Sequence, residues 1–459
     1  MIHRIHEIVW GPWLLLGFLG VGLYYTVSSG FFQIRRMKYW MGQTAGSIGV
    51  KEEIHKGKGK GVSQFQSACT ALAATIGTGN IVGVAAALTA GGPGAVFWMW
   101  ISALIGMMTA YGEACLGIHY RYKGRDGSYI CGPMVYMDRG LGWPGMGAVY
   151  GFCCIMTALG MGSMVQANSF SETIQYSFQI SPTVVGAALT LGVFAVIKGG
   201  IRRIASAAEK IMPLSAGIYF FFSMSVILSC YSRIPMIFMK IIHSAFELPA
   251  MFGGAAGVYI SQSLKYGISR GVFSNEAGLG TLAILHGAAE DTTAEKQGMW
   301  AMFEVFVDTI VICTMTALVI LLMTEGCPET AQIDGAALTA WCFSKRMGKM
   351  GEYLVSLSMC VFAFATITAW YYLGRQAMSY LSERFFAGKW TGEALYTGLY
   401  LNAVFWGCIL KMEAVWEFAD IWNGLLAMPN LLALIYLRKM VTGLDNRRKV
   451  FYTQKRFKA

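Results

Sequence analysis

The sequence predicts an all-α, polytopic membrane protein. Three observations carry that prediction: few charges, long uncharged apolar runs, and a lopsided placement of the charges that remain. Of 459 residues, 55% are hydrophobic and only 13% charged, against roughly 25% charged in an ordinary soluble domain. Such a chain cannot give two or three soluble domains a charged surface. The net charge of +11 would suggest nucleic acid in a soluble protein, but the positions of the charges point elsewhere. Val9 to Phe31 contains no Asp, Glu, Lys or Arg, and a run of that length spans a hydrocarbon core of roughly 30 Å as a helix. Lipid offers no hydrogen bonds, so spans are helices or closed barrels, and runs this long and uniformly apolar are helices.

Eleven spans follow in order, at about 9–31, 65–90, 94–118, 147–171, 181–197, 211–230, 251–285 (broken), 299–323, 353–374, 394–410 and 414–437. The first is longer than the apolar part of a usual signal peptide and lacks a small-x-small cleavage site, so a retained span is expected. A basic stretch follows it, in which Lys56, Lys58 and Lys60 alternate with Gly57, Gly59 and Gly61. Ser63 and Gln66 then have the spacing of a capping box. Loops 32–64, 119–146, 198–210, 286–298 and 375–393 share one side with the C-terminus and hold 27 Lys and Arg. The other side holds 7, and Lys265 and Arg270 lie inside the broken span. The richer side is cytoplasmic, which puts the N-terminus outside and the C-terminus inside a plasma membrane. The tail from Arg447 to Lys458 then reads as a contact for anionic lipid headgroups. Most of the eleven cysteines lie in apolar runs and read as packing residues. Only Cys327 and Cys342 share a loop that would allow a disulfide.

Setting the first span aside leaves two sets of five, 65–230 and 251–438. Residues 1–64 precede them, an external connector at 231–250 joins them, and a basic tail at 439–459 follows. Five is odd, so the second set enters from the opposite face, the arithmetic of an inverted repeat. Each set opens with a span rich in glycine and polar residues, and interrupted spans at corresponding positions point to a midplane binding site.

The first opener places Gly77, Thr78, Gly79, Asn80 and Gly83 about 20 Å along its run, near the bilayer centre. Gly77-x-Gly79 with Gly83 is no dinucleotide fingerprint, for it follows no strand and its third glycine is out of register. Close helix packing uses small residues, but two near-adjacent glycines plus Asn exceed that need. Unwinding there exposes N–H groups suited to a carboxylate and frees carbonyls suited to a cation such as Na⁺.

The second opener runs from Met251 through Gly257, Gln262, Lys265, Gly267, Ser269, Arg270 and Gly271 to Phe273-Ser-Asn-Glu-Ala-Gly-Leu-Gly280. Ionisable residues inside spans are functional candidates by default. Arg270 and Glu276 are expected to form a structural or gating pair near the cytoplasmic mouth, while Ser274 and Asn275 are neutral ligands within reach of substrate or ion. Gln166, near Asn168, serves either a substrate carboxylate or a neighbouring helix. Thr366 and Thr368 carry hydroxyls that can ligate Na⁺, and Trp370 either walls a small pocket or packs. Glu304 and Asp308, at i and i+4, belong to a cation path or to a helix–helix network.

Four segments occur in order: Ile76-Gly-Thr-Gly-Asn-Ile-Val-Gly83, Gly91-Gly-Pro-Gly-Ala-Val-Phe-Trp98, Gly271-Val-Phe-Ser-Asn-Glu-Ala-Gly-Leu-Gly280 and Met302-Phe-Glu-Val-Phe-Val-Asp-Thr309. By these the chain resembles the alanine or glycine:cation symporter family over nearly its whole length. The resemblance implies the inverted-repeat fold of sodium-coupled amino acid transporters, preceded by one extra helix, and Na⁺- or H⁺-driven uptake of small neutral amino acids. It implies that Thr78, Gly79 and Asn80 form the carboxylate and cation region and that Gln166, Thr366 and Trp370 are pocket positions. It also implies an Na⁺ site made by the backbone of Ala73 and Ile76 with Thr366. Ala365-Thr-Ile-Thr-Ala-Trp-Tyr-Tyr372 departs from a family pattern that often has one more hydroxyl before the Thr and Gly-Trp-Ser-Tyr after it.

The expected protein couples inward Na⁺, or H⁺, to uptake of alanine or glycine by alternating access. Na⁺ is the coupling ion, membrane lipids surround the protein, and no other cofactor, nucleic acid or obligate protein partner is implied. An amino acid exchanger, or a carrier of another neutral amino acid such as glutamine, would keep the same site. A channel would call for a symmetric filter or a ring of charge. An intramembrane enzyme would need a catalytic constellation, yet His3, His6, His55, His119, His243 and His286 form no His-Glu-x-x-His and there is no nucleophile elbow.

Overall fold

The computed structural model describes residues 2–48, 62–125, 127–246, 262–327, 333, 335–386 and 392–442. The stretch at 51–61, the opening of the second broken span at 251–257 and the basic tail at 447–458 lie outside the described residues.

The described chain is helical apart from a short antiparallel hairpin, β1 (Tyr122–Lys123) with β2 (Tyr129–Ile130), and an isolated bridge between Val62 and Ala289. Helices α1 (Ile2–Val9) and α2 (Pro12–Ser28) meet at Gly11. Then α3 (Gln64–Thr75) begins in the expected capping box: Ser63 Oγ accepts the Gln66 N–H at 3.1 Å and Gln66 Oε1 accepts the Ser63 N–H at 3.2 Å. A 3₁₀ turn at Thr78–Asn80 leads into α4 (Val82–Gly91), and the two halves bend by 56°. Next come α5 (Gly94–Tyr120), α6 (Pro133–Leu141) and a long helix α7 over Pro144–Phe178 that passes through a π segment at Gly160–Val165. Helices α8 (Pro182–Ile197) and α9 (Gly200–Leu228) follow, and α10 (Ile234–Phe246) falls in the expected connector.

A second interrupted helix follows, α11 (Gln262–Asn275) and α12 (Thr281–Gly287). Helix α13 over Ala294–Thr324 carries a π segment of its own at Phe306–Cys313. It is followed by α14 (Gly335–Met347), α15 (Lys349–Phe385), α16 (Glu393–Gly407) and α17 (Met412–Tyr436). Seven of these runs are long and apolar enough to cross a bilayer, and the bent pair α3–α4 makes an eighth. The other expected spans fall on the shorter α8 and α16 and on the interrupted pair α11–α12. The protein is therefore a multi-pass helical membrane protein.

Helix α5 is the surface on which the second opener lies. A Cβ at Gly267 would stand 2.5 Å from Ala95 O, and one at Gly117 would stand 2.4 Å from Ala283 O, so backbones touch above and below the break. In lipid, where burial of apolar groups drives helix pairing weakly, such close approach supplies the packing energy. The first helices lean on α5 and α17: Tyr25 OH donates to Leu434 O at 2.8 Å, and Trp10 Nε1 donates to Asp420 O at 2.8 Å. Cys327 and Cys342 form no disulfide; Lys345 Nζ reaches Cys327 Sγ at 2.6 Å instead.

Gly117→Val forces a branched side chain into the Ala283 backbone. It is expected to destabilise the protein by about 1–3 kcal/mol, seen as a lowered unfolding temperature in detergent. Gly142→Ala, where nothing stands within 4 Å of the added carbon, should lose less, through its left-handed φ of 70° alone.

Candidate functional site

At the first break α3 ends on Thr75 and the chain turns away from helix at Ile76 and Gly77. Asn80 folds back so that its Oδ1 accepts the Gly77 N–H at 3.0 Å. Its Nδ2 donates to Asp308 Oδ1 at 2.6 Å and to Asp308 O at 3.2 Å. Gln166, one residue past the π segment of α7, accepts the Thr78 N–H at 3.1 Å through Oε1 and donates to Met161 O at 3.2 Å through Nε2. Thr366 Oγ1, on α15, donates to Ala73 O at 2.8 Å, one of the carbonyls freed at the end of α3. Only glycine fits at 77: a Cβ there would lie 2.7 Å from Thr366 Oγ1 and 2.9 Å from Gln166 Oε1. Thr78 Oγ1 is buried with no hydrogen-bond partner.

The second break lies against the first. Ser274, at the end of α11, donates to Asp308 Oδ2 at 2.8 Å, and Thr309 Oγ1 donates to the same oxygen at 2.8 Å. Asp308 thus takes hydrogen bonds from both interrupted helices. Asn275 Oδ1 accepts the Ala277 N–H, and its Nδ2 donates to Thr309 Oγ1, both at 3.0 Å. The chain then passes through left-handed geometry at Glu276 (φ 59°), Gly278 (φ 98°) and Gly280 (φ 85°); the glycines adopt it freely, and at Glu276 it is strain that surroundings must enforce.

Four other helices hold this stretch in a clamp. Glu113 Oε1, on α5, accepts the N–H groups of Gly278 (2.9 Å) and Gly280 (3.1 Å) and Nδ2 of Asn430 (2.7 Å) on α17. Asn430 Nδ2 also donates to Gly278 O at 2.8 Å, its Oδ1 accepts Tyr136 OH from α6, and Tyr150 OH from α7 donates to Leu279 O at 2.9 Å. Every backbone group these side chains touch is one that the broken helix leaves open. Glu113 is the sole Asp, Glu, Lys or Arg of its expected span, 94–118, and that was the signal available for it. Asn430, Tyr136 and Tyr150 gave none.

Of the residues picked from sequence, Ala73, Ile76, Thr78, Gly79, Asn80, Gln166, Ser274 and Thr366 come together around the first break. Asn275 acts on the second. Thr368 does not join them: its hydroxyl donates to Ala365 O at 2.8 Å within its own helix. Trp370 is fully buried, its Nε1 donating to Glu276 Oε1 at 3.0 Å and its Cβ packed over Gly162 of the π segment. Asn168 closes the end of α16 through Gly407 O and Leu410 O. Glu304 and Asp308 enter hydrogen-bond networks, Glu304 with Thr75 and His286.

The expected Arg270–Glu276 pair is corrected. Arg270 meets Asp420 of α17 through two nitrogens at 3.1 and 3.0 Å and lies 5.0 Å from the centre of the Trp416 ring. Residues six apart point about 120° away from each other on a helix, and Glu276 is turned further by its left-handed backbone. His6 Nε2 stands 3.5 Å from Asp420 Oδ2. The pair therefore sits beside the N-terminal helix.

Two interrupted helices meeting inside a multi-pass bundle, with unwound backbone held by buried polar side chains, define a membrane transporter. The model of the sodium:alanine symporter family matches residues 1–456, and the chain belongs to that family, whose members are cation-coupled amino acid symporters. The sodium/alanine symporter AgcS of Methanococcus maripaludis is 37% identical over 448 residues, covering 96% of this chain and 95% of its own. An uncharacterised transporter of Haemophilus influenzae is 40% identical over 443 residues, covering 96% and 94%. Among solved structures, MhsT in complex with L-phenylalanine matches with a TM-score of 0.59 at 12% identity, covering 85% of this chain and 99% of its own. A Na⁺-coupled sialic acid symporter matches at 0.52 and 14%, covering 96% and 85%. At those identities the likeness is one of fold.

Glu113→Ala leaves the N–H groups of Gly278 and Gly280 without their acceptor. A loss of about 3 kcal/mol or more is expected in detergent unfolding, whereas Glu113→Gln, which keeps an acceptor oxygen, should lose less than half as much.

Proposed function

We propose that this protein couples inward Na⁺ to uptake of alanine or glycine by alternating access, with the substrate and ion at the break between α3 and α4. The observation that carries the reading is the convergence of Thr366 on Ala73 O and of Gln166 and Asn80 on the N–H groups of Thr78 and Gly77. Carbonyls at the end of α3 and the Thr366 hydroxyl supply hard oxygen ligands for Na⁺. The unpartnered Thr78 Oγ1, at the positive end of the outer half-helix, supplies a donor for the amino acid carboxylate, which would compete with Gln166 Oε1 for the Thr78 N–H. The neutral Gln166 and Thr366 side chains suit a zwitterion with no net charge. A cation seated there orders the unwound backbone around the substrate, so each strengthens binding of the other.

The same reading assigns eleven spans, one N-terminal helix followed by two inverted sets of five, with the N-terminus outside. The interrupted openers at α3–α4 and α11–α12, at corresponding places in the two sets, support it. The family and AgcS support the substrate class and the ion. A Bacillus subtilis relative, 34% identical, bears the provisional name of a sodium/proton-dependent alanine carrier, YrbD.

Radiolabelled alanine and glycine should accumulate in proteoliposomes given an inward Na⁺ gradient. Uptake indifferent to Na⁺ and proton gradients would leave an exchanger, and no amino acid uptake would remove the reading. Asn80→Ala should abolish ion-driven uptake while the protein stays folded and inserted; normal transport by it would sink the site assignment. Na⁺ should raise the unfolding temperature of the purified wild type by binding the native state. Thr366→Val should weaken that apparent Na⁺ affinity about tenfold.

A further inference from the structure

His286, on the last turn of α12, is buried without exposure, and so is Gln297; Glu304 and Thr75 are 1% and 3% exposed. These four form one chain of hydrogen bonds. His286 Nδ1 lies 2.7 Å from Gln297 Oε1, His286 Nε2 lies 3.0 Å from Glu304 Oε2, and Thr75 Oγ1 donates to Glu304 Oε1 at 3.0 Å. The chain joins α12, the half-helix after the second break, through α13 to the last residue of α3 before the first break.

Counting protons shows what this chain holds. Gln297 Oε1 is an acceptor, and its Nε2 is turned to Thr292 Oγ1 at 3.3 Å, so Nδ1 of the ring carries a proton. The ring's Nε2 and the carboxylate oxygen facing it then need a second proton between them, on one or the other. With that proton the pair has no net charge. Without it, two lone pairs face each other at 3.0 Å and the pair carries one negative charge. The Thr75 hydroxyl has a single proton and a second acceptor, Ala71 O, at 3.2 Å, so the charge on Glu304 decides which way it points.

We propose that His286 and Glu304 form an intramembrane proton-binding site, wired through Thr75 to the first break, whose occupancy sets the affinity of the cation site there. The step is simple binding: a proton from water joins the pair, which goes from one negative charge to none. The proposal rests on the reading of the first break as a cation site, and the negative state favours a cation one residue beyond Thr75. Other ionisable groups whose fields bear on Glu304 are Asp308 on the same helix, Glu113 on α5, Glu276 at the second break and Cys69 on α3. Arg121, beyond α5, donates through Nη1 to Gly287 O at 2.9 Å and to Ala289 O. The remaining elements packed on α12 are β2, with Tyr129, α6, with Tyr136, Asp138 and Arg139, and α15, with Tyr371, Tyr372, Arg375, Tyr380, Glu383 and Arg384 in its second half; between β2 and α6, Cys131 Sγ donates to Ile284 O, and Asp138 is paired with Arg384.

The test is the Na⁺ concentration for half-maximal alanine uptake by the full chain in proteoliposomes, between about pH 5.5 and 8.5, where imidazoles ordinarily titrate. In the wild type it should fall about fivefold or more as pH rises. Glu304→Gln keeps both hydrogen bonds, accepting from Thr75 and donating to His286 Nε2, but cannot titrate. It should stay near the acid value of the wild type at every pH. A Glu304→Gln profile that follows the wild type, or a flat wild-type profile, would overturn the proposal. The proton itself is read without transport, as a carboxyl or imidazole ring band that titrates in the infrared difference spectrum of the reconstituted wild type, shifts when histidine is ¹⁵N-labelled and is lost in Glu304→Gln. That band keeps the proton site even if alanine uptake is absent, an outcome that would remove only the symport reading; its absence overturns the site even with uptake intact.

Discussion

A helix interrupted inside a bilayer leaves donors and acceptors that lipid cannot satisfy, each costing several kcal/mol if left open, and the rest of this structure is arranged around that constraint. Asp308 is its centre. One carboxylate takes Asn80 from the first break on one oxygen and Ser274 from the second on the other. The two openers belong to opposite halves of the chain, so this side chain ties the halves at the point where both have lost their own hydrogen bonds. Glu113 and Asn430 do the corresponding work for Gly278 and Gly280 from outside the break.

Much of this was legible in the sequence because membrane physics writes in large letters. The spans follow from apolar length, the capping box at Ser63 from spacing, and the first break from Gly77 to Asn80, where helix formers give way. The grouping of Thr78, Asn80, Gln166, Ser274 and Thr366 was legible because each is a polar residue that a span would otherwise exclude. Partner choice was not. Arg270 and Glu276 are near in sequence, yet Arg270 reaches α17, since neighbours on one helix face different ways and the nearest counter-charge in space lies 150 positions along. Thr368 looked like Thr366, but two residues on a helix turn the hydroxyl to another side, back onto its own backbone. His286 was one histidine among six until the fold brought Glu304 to it.

Four of the five carboxylates buried among the described residues share one further property. Glu113, Glu276 and Asp308 are met by amide, hydroxyl and indole donors, and Glu304 by Thr75 and His286. Arginine is spent elsewhere, on Asp420 at the end near the N-terminal helix and on carbonyls beside the hairpin. A fixed guanidinium beside any of these acids would neutralise it permanently. Neutral donors hold the acids in place and leave the balance of charge to species that come and go.

The π segments at Gly160–Val165 and Phe306–Cys313 also change how the chain must be read. Each adds a residue to a turn, and one residue is about 100° of rotation, so a helical wheel carried through either segment is out of phase on its far side. The apolar stripe of 314–324 has a different origin from that of 294–305, and the same holds on either side of Gly160. An alignment of this chain with a relative one residue shorter in α7 or α13 belongs with its gap inside the bulge, in mid-membrane, and not in the nearest loop.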